Sequence, residues 1–256
     1  MKQLIAFTKK ECMEIWRNGK CLLLIIIFVL FGIMNPAIAK LTPWLMKQFS
    51  ESLEESGLIF GEVSVDAMTS WTQFYKNIPM GLIMFLLIFS GILTTELQKG
   101  TLINMLTKGL SRNVILLSKT TVMLVLWTVG YWMCFGITYV YNAYFWDNGI
   151  AKHLYFGAFC VYLLGVWLIV VLIMMSVIFS SASSVLVGTG SVFFVSYLCG
   201  LLPNIKKYLP TKLMNASELL YGVGEKNDYM FSIGIAIGLS IIQFIIAIVL
   251  FHKRKV

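Results

Sequence analysis

The chain has very little charge for its length of 256 residues. Asp, Glu, Lys and Arg make up only 12% of it, about half their share in an ordinary soluble domain, whereas 59% of the residues are hydrophobic. A soluble fold of this size cannot bury so much apolar surface, because a large fraction of any small protein lies at its surface. The composition therefore excludes an ordinary soluble protein and indicates one domain, residues 1–256, whose solvent is lipid.

The motifs of nucleotide hydrolysis and of common enzymes are also missing. Residues 222–226 (GVGEK) have neither the spacing of a GxxxxGK[ST] phosphate loop nor a hydroxyl residue after the lysine. The sequence contains neither HExxH nor GxSxG. His153 and His252 lie far apart and on opposite predicted sides of the membrane, which argues against a histidine metal site. We therefore expect no catalytic, cofactor or metal site, and no ATP hydrolysis by the chain itself.

Six charge-free apolar runs divide the sequence. Each is close to the roughly 20 residues that an α-helix needs to cross the hydrocarbon core. A serine-rich break at 180–184 separates the fourth run from the fifth, because residues 154–202 are too many for one crossing. The sequence predicts an all-α polytopic membrane protein with six transmembrane helices, at 21–39, 77–95, 120–143, 154–179, 185–202 and 231–251.

The basic residues are distributed unevenly between the two sides of the predicted membrane. Residues 1–20, 96–119, the turn at 180–184 and the C-terminus carry twelve Lys and Arg against three acidic residues, and the opposite side carries eight Lys and nine acidic residues. The side richer in Lys and Arg is normally cytoplasmic. Both termini are therefore predicted to be cytoplasmic, and residues 42–76 and 203–230 to be outer loops. Contact with anionic lipid explains the net charge of +8, so we expect no nucleic-acid binding.

Residues 1–20 have the pattern of an amphipathic helix. One helical face is mostly apolar and consists of Leu4, Ile5, Thr8, Cys12, Ile15 and Trp16. The opposite face is polar and consists of Gln3, Lys10, Glu14 and Arg17. This pattern predicts an interfacial helix that lies in the plane of the lipid headgroups before the first span.

A second, shorter apolar stripe lies in the predicted cytoplasmic segment 96–119. Leu102, Met105 and Leu106 have the i, i+3, i+4 spacing of one helix face. Such a stripe can contact the membrane surface, or it can be the docking surface for a soluble partner.

Glu96 marks the predicted end of the second span. A carboxylate at the C-terminal end of a helix opposes the helix dipole. Lys99 and Arg112 are nearby cations that can offset this charge, unless Glu96 is simply solvated at the boundary of the membrane.

The predicted spans contain no Asp, Glu, Lys, Arg or His. Proton relays, voltage sensors and most ion-coupled carriers keep ionisable residues inside the bilayer. If a molecule crosses here, we expect its energy to come from outside the chain and the molecule itself to be apolar or amphipathic. In the aromatic third span, Trp127, Tyr131 and Phe135 share one face, which indicates either helix packing or a wall that faces the substrate.

Residues 96–119 resemble the segment that follows the second span in ABC-2-type permeases, the membrane subunits of type-2 ABC exporters. The segment begins ELQKGTLINMLTKGLSR and ends LLSK. It has the family's Glu followed by Gly-Thr-Leu, a leucine-rich stretch, Ser-Arg and a later Lys. Gly109 stands where the family often has Pro. The pair Asn35-Pro36, the serine turn at 180–184 and the pair at 202–203 are further similarities.

The resemblance implies a complex of four chains in the bacterial plasma membrane. Two permease chains, identical or related, would pair with two cytoplasmic ABC ATPases, and the ATPases would bind the ATP. Residues 1–20 and 97–110 would contact the ATPase, and 203–230 would contain short helices that dip back into the outer leaflet. The residues then implicated in ATPase coupling are Leu102, Met105, Leu106, Glu96 and Arg112.

The cargo expected from the resemblance is an antimicrobial or other peptide, or a lipid-like molecule. An ABC permease for sodium or drug extrusion is the alternative within the same class. A sensor subunit that does not transport, or a membrane-embedded enzyme, is the alternative from another class.

Overall fold

Helices form almost all of the computed structural model, which describes residues 2–54 and 65–254. No strand occurs within those ranges. The α-helices are α1 (Lys2–Arg17), α2 (Lys20–Glu54), α3 (Ala67–Phe89), α4 (Thr94–Gln98), α5 (Thr101–Thr107), α6 (Arg112–Phe145), α7 (Leu154–Ile178), α8 (Ala182–Cys199), α9 (Pro203–Lys206) and α10 (Asn227–Lys253). Two 3-10 helices are at Asn148–Ile150 and Pro210–Tyr221.

Six of the helices, α2, α3, α6, α7, α8 and α10, are long and apolar enough to cross a membrane. The prediction of an all-α protein with six transmembrane helices is thereby confirmed. The predicted outer loop 203–230 contains α9 and the longer 3-10 helix, so it has the short helices that the resemblance implies.

Helices α2 and α3 extend from both ends into the predicted outer loop 42–76. Residues 55–64 of that loop lie outside the described residues. Helix α3 begins where it does because the Asp66 carboxylate accepts a hydrogen bond from the backbone N–H of Thr69 at 3.1 Å, which satisfies one of the free donors of the first turn. Hydropathy therefore located the apolar part of each helix, whereas hydrogen bonding decides where the helix ends.

Four segments meet at one end of the bundle. They are α1, the segment from α4 to the start of α6, the turn between α7 and α8, and the end of α10. Lys10 contacts Glu96, Arg112 contacts the end of α10, and Arg254 contacts the end of α7. We call this the basic end of the bundle. The sequence correctly predicted that these segments share one side, and the cytoplasmic position of that side stays a prediction.

Helix α7 lies at the centre of the bundle. It packs against α6, α8, α10 and the 3-10 helix Pro210–Tyr221. In its most apolar stretch 78% of the residues are buried, against 11% for α8 and for α10. The chain is therefore organised around its fourth span, with the fifth and sixth at the periphery.

Aromatic side chains fill the space between α2, α3, α6 and α7. Trp127 lies 5.8 Å from Phe28 and 5.7 Å from Phe85 between ring centroids, in edge-to-face geometry. A Cβ at Gly130 would lie 2.7 Å from the Phe28 ring, so only glycine allows α2 and α6 to approach so closely. A Cβ at Gly165 of α7 would likewise overlap the Trp127 ring, so only glycine allows this ring to pack against α7.

A hydrogen-bonded polar group ties α2, α3 and α6 together within this apolar interior. The Asn35 amide donates to the Thr138 hydroxyl at 2.9 Å, and the Asn77 amide donates to the Asn35 side-chain oxygen at 2.7 Å. Thr138 also donates to a carbonyl of its own helix, at Cys134. In lipid, where water does not compete, such bonds fix the register of the three helices.

Candidate functional site

Buried ion pairs at the basic end join α1, α4 and α6. The Lys119 ammonium lies 2.9 Å from Glu11 and 2.8 Å from Glu96. The Lys10 ammonium lies 3.0 Å from Glu11, 2.6 Å from Glu14 and 2.8 Å from Glu96. Glu11 and Lys119 are each only 2% exposed. We call these five residues the charge cluster.

Glu11, Glu96 and Lys119 depend on their partners because their side chains are at most 12% exposed, whereas the Glu14 side chain is 42% exposed. A charge removed from water is costly unless it is paired and hydrogen-bonded. Glu96 therefore needs both lysines, and Lys119 needs both Glu11 and Glu96, to remain ionised in this position. Breaking such a buried pair typically costs about 3–5 kcal/mol, because the remaining charge has no partner. The charge cluster thus holds α1 against the bundle in one position.

The pKa values of Lys10 and Glu96 are displaced in opposite directions. Burial alone would lower the pKa of Lys10, but hydrogen bonds to Glu14 and Glu96 and the charge of Glu11 outweigh it and raise the pKa above its usual value. Burial alone would raise the pKa of Glu96, but the charge of Lys119 and hydrogen bonds from both lysines outweigh it and lower the pKa. Both shifts favour the charged forms that make the ion pairs.

A cleft of about 340 Å³ opens beside the charge cluster and is lined by Lys20, Lys99 and members of the cluster. The carboxylate oxygens of Glu11, Glu14 and Glu96 lie within 4.8 Å of one another, as the ligands of a cation would. The ammonium groups of the two clustered lysines already supply the positive charge at this position. The arrangement is therefore a structural ion-pair network that connects helices.

Glu96 was expected at the C-terminal end of the second span, but α3 ends at Phe89 and Glu96 lies in the first turn of α4, with other partners than those expected. Lys99 and Arg112 were the expected cations, and the structure pairs Glu96 with Lys10 and Lys119 instead. Lys10 belongs to α1, 86 positions earlier in the chain, so proximity in sequence could not identify it. The available signal was the presence of Lys10 and Glu11 on a helix otherwise suited to the membrane surface.

Helix α5 is bounded by two glycines in the left-handed conformation. Gly100 has φ = 67° and Gly109 has φ = 88°. After Gly109, the backbone N–H of Leu110 donates to the Met105 carbonyl at 3.2 Å and closes the end of the helix. Proline, with φ fixed near −65°, cannot adopt this conformation, so a proline at 109 would require a different turn after α5.

The apolar stripe of α5 faces the inside of the protein. Leu102 is completely buried in the core, and Met105 and Leu106 are partly buried against it. Leu102 is therefore covered by the bundle in this conformation, whereas Met105 and Leu106 remain partly exposed, and the docking of a partner on this stripe stays a prediction. The exposed residues of this segment are Thr101, Ile103, Asn104, Thr107 and Lys108. A role for α5 in ATPase coupling stays a prediction.

Arg112 lies at the start of α6 and contacts the end of α10. Its guanidinium donates to the backbone carbonyls of His252 at 3.0 Å and Arg254 at 2.7 Å, and also to that of Phe251. Its role in ATPase coupling is untested, and its contacts are those of a cation at a helix C-terminus.

The three aromatic residues predicted to share a face of α6 are core residues. Trp127 and Tyr131 are fully buried, and Phe135 is nearly so. The Trp127 indole N–H donates to the Tyr162 carbonyl at 3.1 Å, and the Tyr131 hydroxyl donates to the Ala158 carbonyl at 2.6 Å. These bonds join α6 to α7, as the packing interpretation expects, and a role of the three residues in facing substrate stays a prediction.

Comparison with known proteins is consistent with this architecture. Residues 5–218 match the model of a family described as ABC-2 family transporter protein. The chain is also 23% identical, over 234 residues, to the uncharacterized transmembrane protein YxlG of Bacillus subtilis (strain 168), and the alignment covers 90% of this chain and 89% of that protein. No solved structure matches the chain. Because the family match covers most of a chain with six apolar helices, the chain belongs to the ABC-2 transporter family and is a multi-pass bacterial membrane protein, the transport subunit and not the ATPase.

Proposed function

We propose that the chain is the permease of an ABC exporter and moves an amphipathic cargo across the membrane with energy from a separate ATPase. The cargo is an antimicrobial or other peptide, or a lipid-like molecule. Two copies of the ATPase bind at the basic end, which faces the cytoplasm, and two permease chains, identical or related, form the membrane part.

The observation that carries this proposal is that α5 is anchored in the core on one side and exposed on the other. Leu102 anchors the helix in the core, and the left-handed Gly100 and Gly109 turn the chain sharply at its two ends. Ile103, 41% exposed, and the exposed Asn104 remain on the outward face of α5. A short, anchored helix with one exposed apolar side chain suits a small docking surface for a soluble protein.

The charge cluster supplies the mechanical link that such a permease needs. Glu96 lies in α4, immediately before α5, and is paired with Lys10 of α1 and Lys119 of α6. A force applied to α5 by an ATPase would therefore act on α1 and on the third span together. Buried ion pairs transmit such a displacement well, because separating them leaves charges unpaired.

An apolar cargo has a suitable surface between α3, α7 and α8. A groove of about 430 Å³ opens there, within the range of small-molecule sites. Its lining is almost entirely apolar and includes Ile78, Leu82, Leu164, Leu186 and Phe193. Helix α8, which forms one wall, is largely unburied, so a second permease chain can complete the groove.

The proposal is tested by Ile103→Asp in the native host, with co-purification of a P-loop ATPase from gentle detergent as the measurement. We expect the yield of ATPase per permease to fall at least about tenfold, because a charge replaces an apolar contact at the centre of a small interface. Ile150→Asp is the matched control, since Ile150 is similarly exposed, at 44%, and lies in the 3-10 helix Asn148–Ile150.

Equal ATPase yield from both variants would show that α5 is not the docking site. If the wild-type chain itself purifies without any ATPase, the sensor alternative replaces the exporter. Leu102→Asp is unsuitable for this test, because a buried charge would unfold the segment before docking could be measured.

A further inference from the structure

Two arginines at the basic end each hold the C-terminal carbonyl groups of a helix. The first is Arg112 at the start of α6, whose guanidinium binds the carbonyls of Phe251, His252 and Arg254 at the end of α10. The last carbonyls of an α-helix have no partner within the helix and carry its negative dipole end. Arg112 supplies both the donors and the positive charge that this end requires.

The second is Arg254, the residue that follows α10, and it holds the end of α7. Its Nη1 donates to the carbonyls of Ser176 at 3.1 Å, Val177 at 2.5 Å and Phe179 at 3.2 Å. Its Nη2 donates to the Ser180 hydroxyl at 3.0 Å. Arg254 therefore makes hydrogen bonds through both its side chain and its backbone, because its carbonyl accepts a hydrogen bond from Arg112.

A third contact reaches the same turn from the other side of α5. The Gln98 side-chain amide, at the end of α4, donates to the Ser180 carbonyl at 2.7 Å. Ser180 is thus connected directly to Gln98, at the end of the helix before α5, and through Arg254 to Arg112, at the start of the helix after α5. Both connections end at the turn between α7 and α8.

Helix α8 begins immediately after this turn and is weakly attached elsewhere. The Ser181 hydroxyl caps its first turn by accepting from the backbone N–H of Ser184 at 3.1 Å. Its main contacts are with α7 and with the 3-10 helix Pro210–Tyr221, and only 11% of its apolar stretch is buried. A helix with so few packing contacts can be moved from its tethered end at low cost in lost packing.

We propose that Gln98, Arg112 and Arg254 are positioning residues that deliver a displacement of α5 to the first turn of α8. The proposal rests on the proposed function, in which α5 receives the movement of the ATPase. Hydrogen bonds from charged donors are the stronger class, so the connection through Arg112 and Arg254 resists separation, and the neutral Gln98 amide adds one further bond. The consequence is that α8, the mobile wall of the apolar groove, is controlled from the basic end.

Hydrogen–deuterium exchange of residues 182–188 in the purified permease, in lipid nanodiscs, tests the proposal. Arg254→Gln removes direct bonds to the turn, and we expect exchange of these amides to accelerate by at least about tenfold. Arg112→Gln is the decisive variant. Arg112 does not contact Ser180, but the substitution Arg112→Gln releases Arg254. We therefore expect this substitution to accelerate exchange of the same amides by a smaller factor.

Lys253→Gln is the matched control for these substitutions. It removes one positive charge next to Arg254 from an exposed side chain, and we expect no change at 182–188. Arg112→Lys and Arg254→Lys keep the charge but lose the planar set of donors, so we expect intermediate acceleration. Should Arg254→Gln fail to fold, Ser180→Ala removes only the hydroxyl that accepts from Arg254 and is expected to give a smaller increase.

The proposal is wrong if Arg112→Gln accelerates exchange at the end of α10 alone and leaves residues 182–188 unchanged. It is also wrong if neither Arg254→Gln nor Ser180→Ala affects those residues. The experiment uses the permease without its ATPase. Its failure therefore leaves the docking function of α5 intact, and loss of the docking function would leave the measured exchange unaffected.

Discussion

Helices α7 and α10 have almost the same length and hydropathy, but in the folded protein α7 is mostly buried and α10 is mostly exposed. They have 25 and 27 residues and mean hydropathies of 2.8 and 2.7, yet 78% of the apolar stretch of α7 is buried and only 11% of that of α10. The difference arises because α7 has neighbours all round, whereas α10 packs against α7, the 3-10 helix Pro210–Tyr221 and the start of α6. Hydropathy shows that a helix is stable in lipid, but it does not distinguish lipid from protein as the surroundings.

This comparison also shows what holds the bundle together. Lipid tails are as apolar as leucine side chains, so burying an apolar helix in protein gains little from the hydrophobic effect. Close packing and the exclusion of cavities have to provide the stability of α7. Substitutions that alter packing should therefore destabilise the protein much more in α7 than in α10, even where they leave hydropathy unchanged.

The largest difference is expected between Gly165→Leu in α7 and Gly238→Leu in α10. Any side chain at Gly165 would overlap the Trp127 indole, whereas a Cβ at Gly238 has nothing within 4 Å. We expect Gly165→Leu to lose more than about 3 kcal/mol and most of its folded yield, because the rigid indole cannot move aside. Gly238→Leu should retain the wild-type thermal unfolding temperature in detergent. Equal unfolding temperatures would show that α6 and α7 do not pack as described.

A smaller difference is expected between Ile173→Ala and Ile242→Ala. Ile173 of α7 is 1% exposed, and Ile242 of α10 is 54% exposed. The first substitution leaves a cavity and should cost on the order of 2 kcal/mol, whereas lipid fills the space left by the second and the cost should stay within about 0.5 kcal/mol. Equilibrium unfolding in mixed micelles measures both. A cost as large for Ile242→Ala as for Ile173→Ala would mean that another protein surface covers α10.

Acid is expected to leave the difference between α7 and α10 unchanged, because the group that it protonates, Glu96, lies in neither helix. Because the pKa of Glu96 is lowered in the folded protein, its contribution to stability is present above the unfolded value of 4.5 and is lost as the pH falls below it. The raised pKa of Lys10 makes its contribution disappear only above 10.5. We expect α1 to detach from α6 only as the pH falls through the lowered pKa of Glu96, while the contact between α7 and α10 persists.

Distances between spin labels report this acid effect. One pair of labels at Lys9 and Asn113 follows α1, and a second pair at exposed positions of α7 and α10 serves as the control. Lys119→Met should shift the first distance at neutral pH, because it removes the cation that Glu11 and Glu96 share. An α1 distance that does not change with pH, in both proteins, would contradict the assignment of the charge cluster as the attachment of α1.

The sequence was sufficient to predict the fold class and the site segment, for reasons of local physics. The length of an apolar run measures a membrane crossing directly, and the distribution of Lys and Arg groups the segments that share a side. The segment 96–119 could be recognised because its glycine, hydroxyl and leucine positions lie together in the chain. Glu96, at the head of this segment, proved to be part of the charge cluster.

The face that α5 presents could not be predicted in the same way. A stripe at i, i+3, i+4 reveals one apolar side of a helix, and Leu102 does lie on such a side, but periodicity does not say what covers it. The bundle covers Leu102 completely and Met105 and Leu106 in part, and Ile103 is exposed. The aromatic face of α6 posed the same ambiguity, and the hydrogen bond from Tyr131 to α7 supports packing.

The sequence by itself determined that this protein crosses the membrane six times and which of its segments share an end, because both follow from apolar length and charge along the chain. Only the tertiary structure decided that α7 is central, that α10 is peripheral and that Glu96 pairs with two lysines. The bond from Lys119 to Glu11 spans 108 positions, and that from Arg112 to the Arg254 carbonyl spans 142. Contacts at such separations depend on how the helices pack around one another, and no local pattern of residues encodes that arrangement.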